Sequence, residues 1–301
     1  MNPTRALWMC LFLVAAVFCA PGNAADPVTF DGGRAFEHVR ALVGFGPRPP
    51  GSSALEQSRQ YIRTQLGAMG VKVADQRFEA STPLGAVPMV NLRATIPGVR
   101  PDRLVIGGHY DTKLFRQFRF VGANDGGSST AFLIELARVL KARKNPLTIE
   151  LVFFDGEEAF IDWVGTDHTY GSRHYVKEAT RTGELSSIKA MILVDMIGDR
   201  DLNVLREPRS TTWLTDLIWE SAKALHLGAY FLDERLDVED DHVAFLHAGV
   251  PAVDIIDLDY APWHTPEDTL DKVSARSMEI VGAVLLDALP KIEARLIGVK
   301  R

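Results

Sequence analysis

Five residues spread along the chain, His109, Asp125, Glu158, Asp195 and His264, offer the donor types that suit a divalent metal. Imidazole nitrogens mixed with carboxylate oxygens favour Zn²⁺ in tetrahedral or slightly expanded geometry. A catalytic zinc takes about three protein ligands and keeps one position open. Five candidates exceed that number, so either two metals bind or some of the five stand behind the ligands. Asp111, two residues beyond His109, is placed to accept a ring proton from it and fix its tautomer. Each residue also has an ordinary reading: a hydrogen-bonded histidine, or an aspartate capping a helix.

Glu157 and Glu158 are adjacent, so their side chains point in opposing directions. One carboxylate can then ligate a metal while the other moves protons. The same pair would also suit a solvated helix start, where acids complement the dipole. Asn124-Asp125-Gly126-Gly127 is a glycine-rich turn into an apolar helical run, but it contains neither GxxxxGK[ST] nor GxGxxG. Its glycines are better suited to letting an unusual backbone present Asp125. There is no GxSxG elbow and no cysteine beyond Cys19, so serine and cysteine nucleophiles lack support.

The elements that must position these residues follow from apolar periodicity. Leu104–Gly108, Ile149–Phe154, Ala190–Val194 and Ala252–Ile256 are short, nearly all-apolar runs, each predicted as a strand buried on both faces. Val71–Phe78 and Val87–Ile96 alternate like an antiparallel pair around Pro83 and Gly85. Helices are predicted over 31–43, from a cap at Ser52 or Ser53 to about Met69, and over 128–144, 171–181, 212–225, 240–247 and 274–297. The alternation predicts an α/β fold: a single-domain α/β/α sandwich whose mixed, mainly parallel central sheet is covered on both faces. In such sheets ligands bind beyond the carboxyl ends of the strands. His109 and Asp111 follow the first buried run, Asp155, Glu157 and Glu158 the second, Asp195 the third, and a loop to His264 the last.

Ordinary bulk properties surround this pattern: 301 residues, 47% hydrophobic, 24% charged. Arg5 followed by the apolar run Ala6–Ala20 and the small residues Gly22 to Ala25 is predicted to be a signal peptide over 1–25, with the catalytic domain over 26–301. The run is short for a retained anchor. Both cysteines, Cys10 and Cys19, fall inside it, so no disulfide is expected in the mature chain, and its location is predicted as secreted or periplasmic. The net charge of -6 becomes -7 once Arg5, the leader's one charged side chain, is removed. Without a basic cluster, neither nucleic acid nor an anionic membrane is an expected partner.

The phrases GGHYDTK, GANDGGSS, LVFFDGEEAFIDW, YGSRH, LVDMIGD, VEDDHVAFLHAGVP and WHTPEDT, in that order, resemble the animal-type glutaminyl-peptide cyclotransferases, which share their fold with the M28 zinc aminopeptidases. The resemblance covers about Phe36 to Val273. It implies that Asp125, Glu158 and His264 hold one zinc and that Glu157 is the general acid/base. Asp195 and Asp240 would share its proton network, and Trp163 and Trp263 would wall the substrate pocket. His109 and Asp195 resemble ligands of the second aminopeptidase metal, so one Zn²⁺ is expected and a second has a candidate site. The resemblance also places a cis peptide between Asp125 and Gly126.

Asp254 stands where the animal cyclases carry a histidine, and the loop at Asp259 and Tyr260 departs from their pattern. The implied reaction converts N-terminal glutamine of peptides or proteins to pyroglutamate with release of ammonia. The alternative is aminopeptidase hydrolysis on the same residues, and a third reading is an interaction domain that has lost catalysis.

Overall fold

The computed structural model describes residues 28–298, and the predicted leader over 1–25 lies outside them. In chain order the strands are β1 (Lys72–Thr82), β2 (Gly85–Ile96), β3 (Arg100–His109), β4 (Leu147–Phe154), β5 (Ile188–Asp195), β6 (Val204–Arg206), β7 (Phe231–Arg235) and β8 (Ala252–Ile256). The helices are α1 (Gly32–Phe45), α2 (Ser53–Ala68), α3 (Gly127–Ala142), α4 (Tyr170–Thr182), α5 (Thr212–Ala224), α6 (His242–His247) and α7 (Ala275–Gly298). One six-stranded sheet runs in the order β1-β2-β4-β3-β5-β8. The hairpin β1–β2 is antiparallel and joins β4 antiparallel, whereas β4, β3, β5 and β8 are mutually parallel.

Both faces of the parallel strands are covered, which is why their sequences are apolar without alternation. On β3, Leu104 and Ile106 enter the larger core with residues of α1, α3 and α7, while Val105 packs on the opposite face with Tyr175 of α4 and Phe245 of α6. Asp31 and Ser52 cap α1 and α2, accepting from the amides of Arg34 and Leu55 at 3.1 Å each. The predicted helices recur with ends shifted by a residue or two; α6 begins at His242 because Asp240 and Asp241 form the turn leading into it. The small β6–β7 pair was not predicted, being short and largely exposed on β7.

The strand ends do not all serve one site. Asp155, just past β4, turns away from the other acids and is fully buried. Its Oδ2 accepts from the Val90 amide at 2.7 Å, the Tyr110 hydroxyl at 3.0 Å and Arg59 Nη1 at 3.1 Å. It therefore ties the β1–β2 hairpin and α2 to the sheet. Removing one partner of a buried ion pair leaves the other charge uncompensated. Asp155→Ala is accordingly expected to destabilise the fold by about 3–5 kcal/mol in urea unfolding. A loss below about 1 kcal/mol, the range of exposed pairs, would contradict this placement.

Candidate active site

Three loops converge at the carboxyl ends of the parallel strands. Asp125 lies in the turn before α3, Glu158 follows β4, and His264 sits in the loop after β8. One ligand atom from each falls within 4.8 Å of the others. His264 Nε2 is 3.2 Å from Glu158 Oε1 and 3.4 Å from Asp125 Oδ2. Asp125 Oδ2 and Glu158 Oε2 are buried without a hydrogen bond, an arrangement that a shared cation would satisfy. A second cluster joins His109, Asp125 and Asp195. Here His109 Nε2 lies 3.1 Å from Asp195 Oδ1 and 3.2 Å from Asp125 Oδ1. Asp125 thus turns one oxygen to each cluster.

Burial opposes charge on His264, but Glu158 and Asp125 override it and raise its pKa to about 10. Burial likewise works against ionised Asp125, yet His109 and His264 hold it well below the usual carboxylate range. Glu157 is different. Burial pushes its carboxyl well above the usual range; the His109 imidazole opposes the shift, and Asp240, Glu158 and Asp241 reinforce it. Asp240 is raised well above its ordinary value by burial, then by Asp195 and Asp241.

Backbone contacts explain how the chain holds so many acids together. Asp111 lies within ion-pair reach of His109, its Oδ1 3.6 Å from Nδ1, but makes no hydrogen bond to it. Its carboxylate instead accepts from the amides of Glu157 at 3.2 Å and Glu158 at 3.3 Å. Asp268 does the same for Asn124 and Asp125, at 2.8 and 3.1 Å, and itself accepts from the Tyr260 hydroxyl at 2.7 Å. Arg48, fully buried, donates to the carbonyls of Val121 and Gly122 at 2.6 and 2.9 Å.

No peptide bond among the described residues is cis, so the expected cis link after Asp125 is corrected. The left-handed Gly126, at φ 72°, makes the turn there, and the Asp268 carboxylate fixes the amides before it. Met196, next to Asp195, and His264 also adopt left-handed φ, 46° and 54°, a strain that gathers at functional sites.

The cluster opens into a pocket of 220 Å³ lined by Glu157, Asp195, Asp240, Trp163 and Trp263 among others. Neither tryptophan is core: Trp163 is 37% exposed and stacks on His168, and Trp263 is 44% exposed and stacks on His264. Tyr260, in the loop expected to vary the wall, is buried and serves as the brace on Asp268. Asp254 is buried with both oxygens unpartnered; its Oδ2 lies 3.7 Å from His242 Nδ1, and His242 Nε2 lies 3.1 Å from Glu207. Burial and the acids around it, Asp240 first, raise the Asp254 carboxyl well above the usual range.

Eight of the nine predicted site residues line this pocket, and the ninth, His109, lies behind it against Asp125 and Asp195. The sequence reasoning missed Asp268 and Arg48, and read Tyr260 only as part of a loop that departs from the family pattern. Asp268 stands next to last in the WHTPEDT phrase, but its partners lie 144 and 143 residues earlier, where no spacing signal reaches.

Residues 91–289 match the model of peptidase family M28. A glutaminyl-peptide cyclotransferase-like protein of Mus musculus is 33% identical over 252 residues, covering 74% of this chain and 66% of its own length. The glutaminyl-peptide cyclotransferase of Boiga irregularis is 31% identical over 289 residues, covering 81% of this chain and 76% of its own. This chain belongs to peptidase family M28, with the glutaminyl-peptide cyclotransferases. Its fold is theirs as well: the crystal structure of Acidobacteriales bacterium glutaminyl cyclase superposes with TM-score 0.86 at 40% identity, covering 92% of this chain and 99% of that one.

Within this family framework, Asp268 is expected to tune whatever metal Asp125 holds. Asp268→Asn replaces one acceptor oxygen with a donor facing a backbone amide, loosening the Asp125 turn. Metal affinity should fall about 10–100-fold, measured by competition with a chromogenic chelator. Unchanged affinity would show that the turn holds without it.

Proposed function

We propose that this chain is a zinc-dependent glutaminyl-peptide cyclotransferase, acting on the N-terminal glutamine of peptides or proteins. The observation that carries the reading is a carboxylate outside the ligand set, Glu157, beside the Asp125–Glu158–His264 cluster in a pocket walled by two exposed tryptophans. The donor set, two carboxylates and an imidazole with two buried oxygens lacking partners, fits one zinc. When bound there, zinc supplies Lewis-acid polarisation of the glutamine γ-carbonyl.

The chain's own residues would do the rest. The α-amine and the γ-carbonyl belong to one residue, so the pocket need only hold that residue folded back on itself. Well-aligned intramolecular attack can be worth about 7–11 kcal/mol. Trp163 and Trp263 would fix the folded conformer and exclude water. Glu157 would take a proton from the α-amine as its nitrogen bonds to the side-chain carbonyl carbon, Cδ, then deliver it to the amide nitrogen, whose bond to Cδ breaks as it leaves as ammonia. Its raised proton affinity suits both halves of that task, and Asp240 and Asp195 would sustain it.

A second reading rests on Asp125, which faces both clusters as a bridging ligand would. With a second zinc at His109 and Asp195, the same site would suit an aminopeptidase in which Glu157 activates water. Export completes the proposal: residues 1–25 would be a cleaved leader, leaving the enzyme secreted or periplasmic. Among the described residues no helix is long and apolar enough to cross a membrane.

The test is to incubate the purified protein with zinc and two peptides, one beginning with Gln and one with Leu, and weigh the products. Loss of one ammonia from the Gln peptide alone, abolished by a chelator, is expected. Shortening of either peptide by one residue would establish the aminopeptidase instead.

A further inference from the structure

A groove of 380 Å³ is walled by Leu84, Lys113, Phe115, Arg116, Phe160 and Ile161. Two of its lining residues reach the metal-ligand cluster. Lys113 Nζ lies 3.8 Å from Glu158 Oε2 and donates to the Ala159 carbonyl at 2.9 Å, while the Phe115 ring stands edge-on to His264 at 5.7 Å. Leu84 and Ile161 leave apolar surface open on it, 47% and 53% exposed. Its charge is one-sided, for Lys113 and Arg116 line it and no acidic side chain does. Lys113 is already committed. The Arg116 guanidinium is exposed and makes no hydrogen bond or ion pair among the described residues. On the pocket's other rim Asp237 and Glu239 are both paired with Arg209, at 2.5 and 3.8 Å.

A peptide whose first residue fills a 220 Å³ pocket must lead its remaining residues out across the surface. Acidic residues would be attracted at the unpaired Arg116, since Arg209 is already engaged by Asp237 and Glu239, while apolar ones would find Leu84 and Ile161. We propose that this groove is a subsite for the downstream part of the substrate peptide, and that Arg116 selects an acidic residue there. The inference rests on the cyclase reading. It adds a substrate class: peptides carrying Asp or Glu a few positions after the N-terminal glutamine.

The experiment measures kcat/KM for Gln-initiated pentapeptides carrying Glu, Ala or Lys in turn at the second, third and fourth positions, with a Gln dipeptide as reference. At one of these positions Glu should exceed Lys by about two- to fivefold, the range of an exposed ion pair. The preference should reside in KM and shrink in 0.5 M salt, where the Debye length is only a few ångströms (about 4 Å). Arg116→Glu should reverse the order while leaving the dipeptide unaffected. Equal rates at all three positions, or a preference that survives Arg116→Glu, would overturn the subsite. If the dipeptide itself were not cyclised, the failure would lie with the cyclase reading and both would fall.

Discussion

Glu157→Gln is expected to lower kcat for cyclisation by about 10²–10⁴, the usual worth of a positioned general acid/base, while bound zinc per chain stays the same. The substitution is nearly isosteric and leaves the amide of residue 157 on Asp111, so the neighbouring Glu158 keeps its orientation. What changes is the capacity to hold a proton. The pH profile supplies an independent check with a fixed sign. Burial, and beyond the opposing His109 the carboxylates of Asp240, Glu158 and Asp241, raise the Glu157 pKa, and a base must be ionised to accept the proton of the amine. Wild-type turnover should therefore fall as pH drops through that raised value, at a pH above the ordinary carboxylate range. The residual activity of Glu157→Gln should lose this acid limb. Near-normal turnover with zinc retained would remove Glu157 from the chemistry and pass the proton transfer to another group, Asp240 of the same pocket being the first candidate.

The gathering of these residues was legible because each doubly buried strand leaves a telling sequence trace. Ile149–Phe154 and Ala252–Ile256 have no polar face to confuse the reading, and the residue types after them stand out. The rule that ligands bind at strand ends then does most of the placing. Two kinds of feature left no such trace. Which way a side chain turns after its strand depends on partners far away in sequence: Asp155 and Glu157 sit two residues apart, yet Arg59 and Tyr110 draw the first into the fold's interior while the second faces the pocket. The braces beneath the ligands are equally silent. Asp111 reads as a partner for His109 because the two share a strand end, but the nearer unpaired donors are the amides of Glu157 and Glu158. A cis bond after Asp125 was expected from resemblance alone, whereas the left-handed Gly126 provides the turn with an ordinary trans peptide.

His264→Ala is expected to abolish both zinc binding and cyclisation, and its effect on stability separates a metal ligand from a merely structural histidine. The imidazole is the one nitrogen donor of the Asp125–Glu158–His264 cluster. Without it two buried carboxylates face each other with no third ligand to complete a site. A metal that binds only the folded state stabilises it by RT ln(1 + [L]/Kd), about 4 kcal/mol when free zinc exceeds Kd a thousandfold. Adding a chelator should therefore lower the Tm of the wild-type protein markedly and leave that of His264→Ala unmoved. The chelator response, rather than the Tm itself, is the readout, because any buried substitution can lower Tm. His109→Ala makes the complementary case. If one zinc is bound, at His264, this variant keeps its chelator response and its metal content. If the chain holds two, it loses one equivalent, and the balance shifts towards the aminopeptidase arrangement in which Asp125 bridges. A chelator response in His264→Ala equal to that of the wild type would place the tight metal at His109 and Asp195 instead. The ligand set proposed for catalysis would then be wrong.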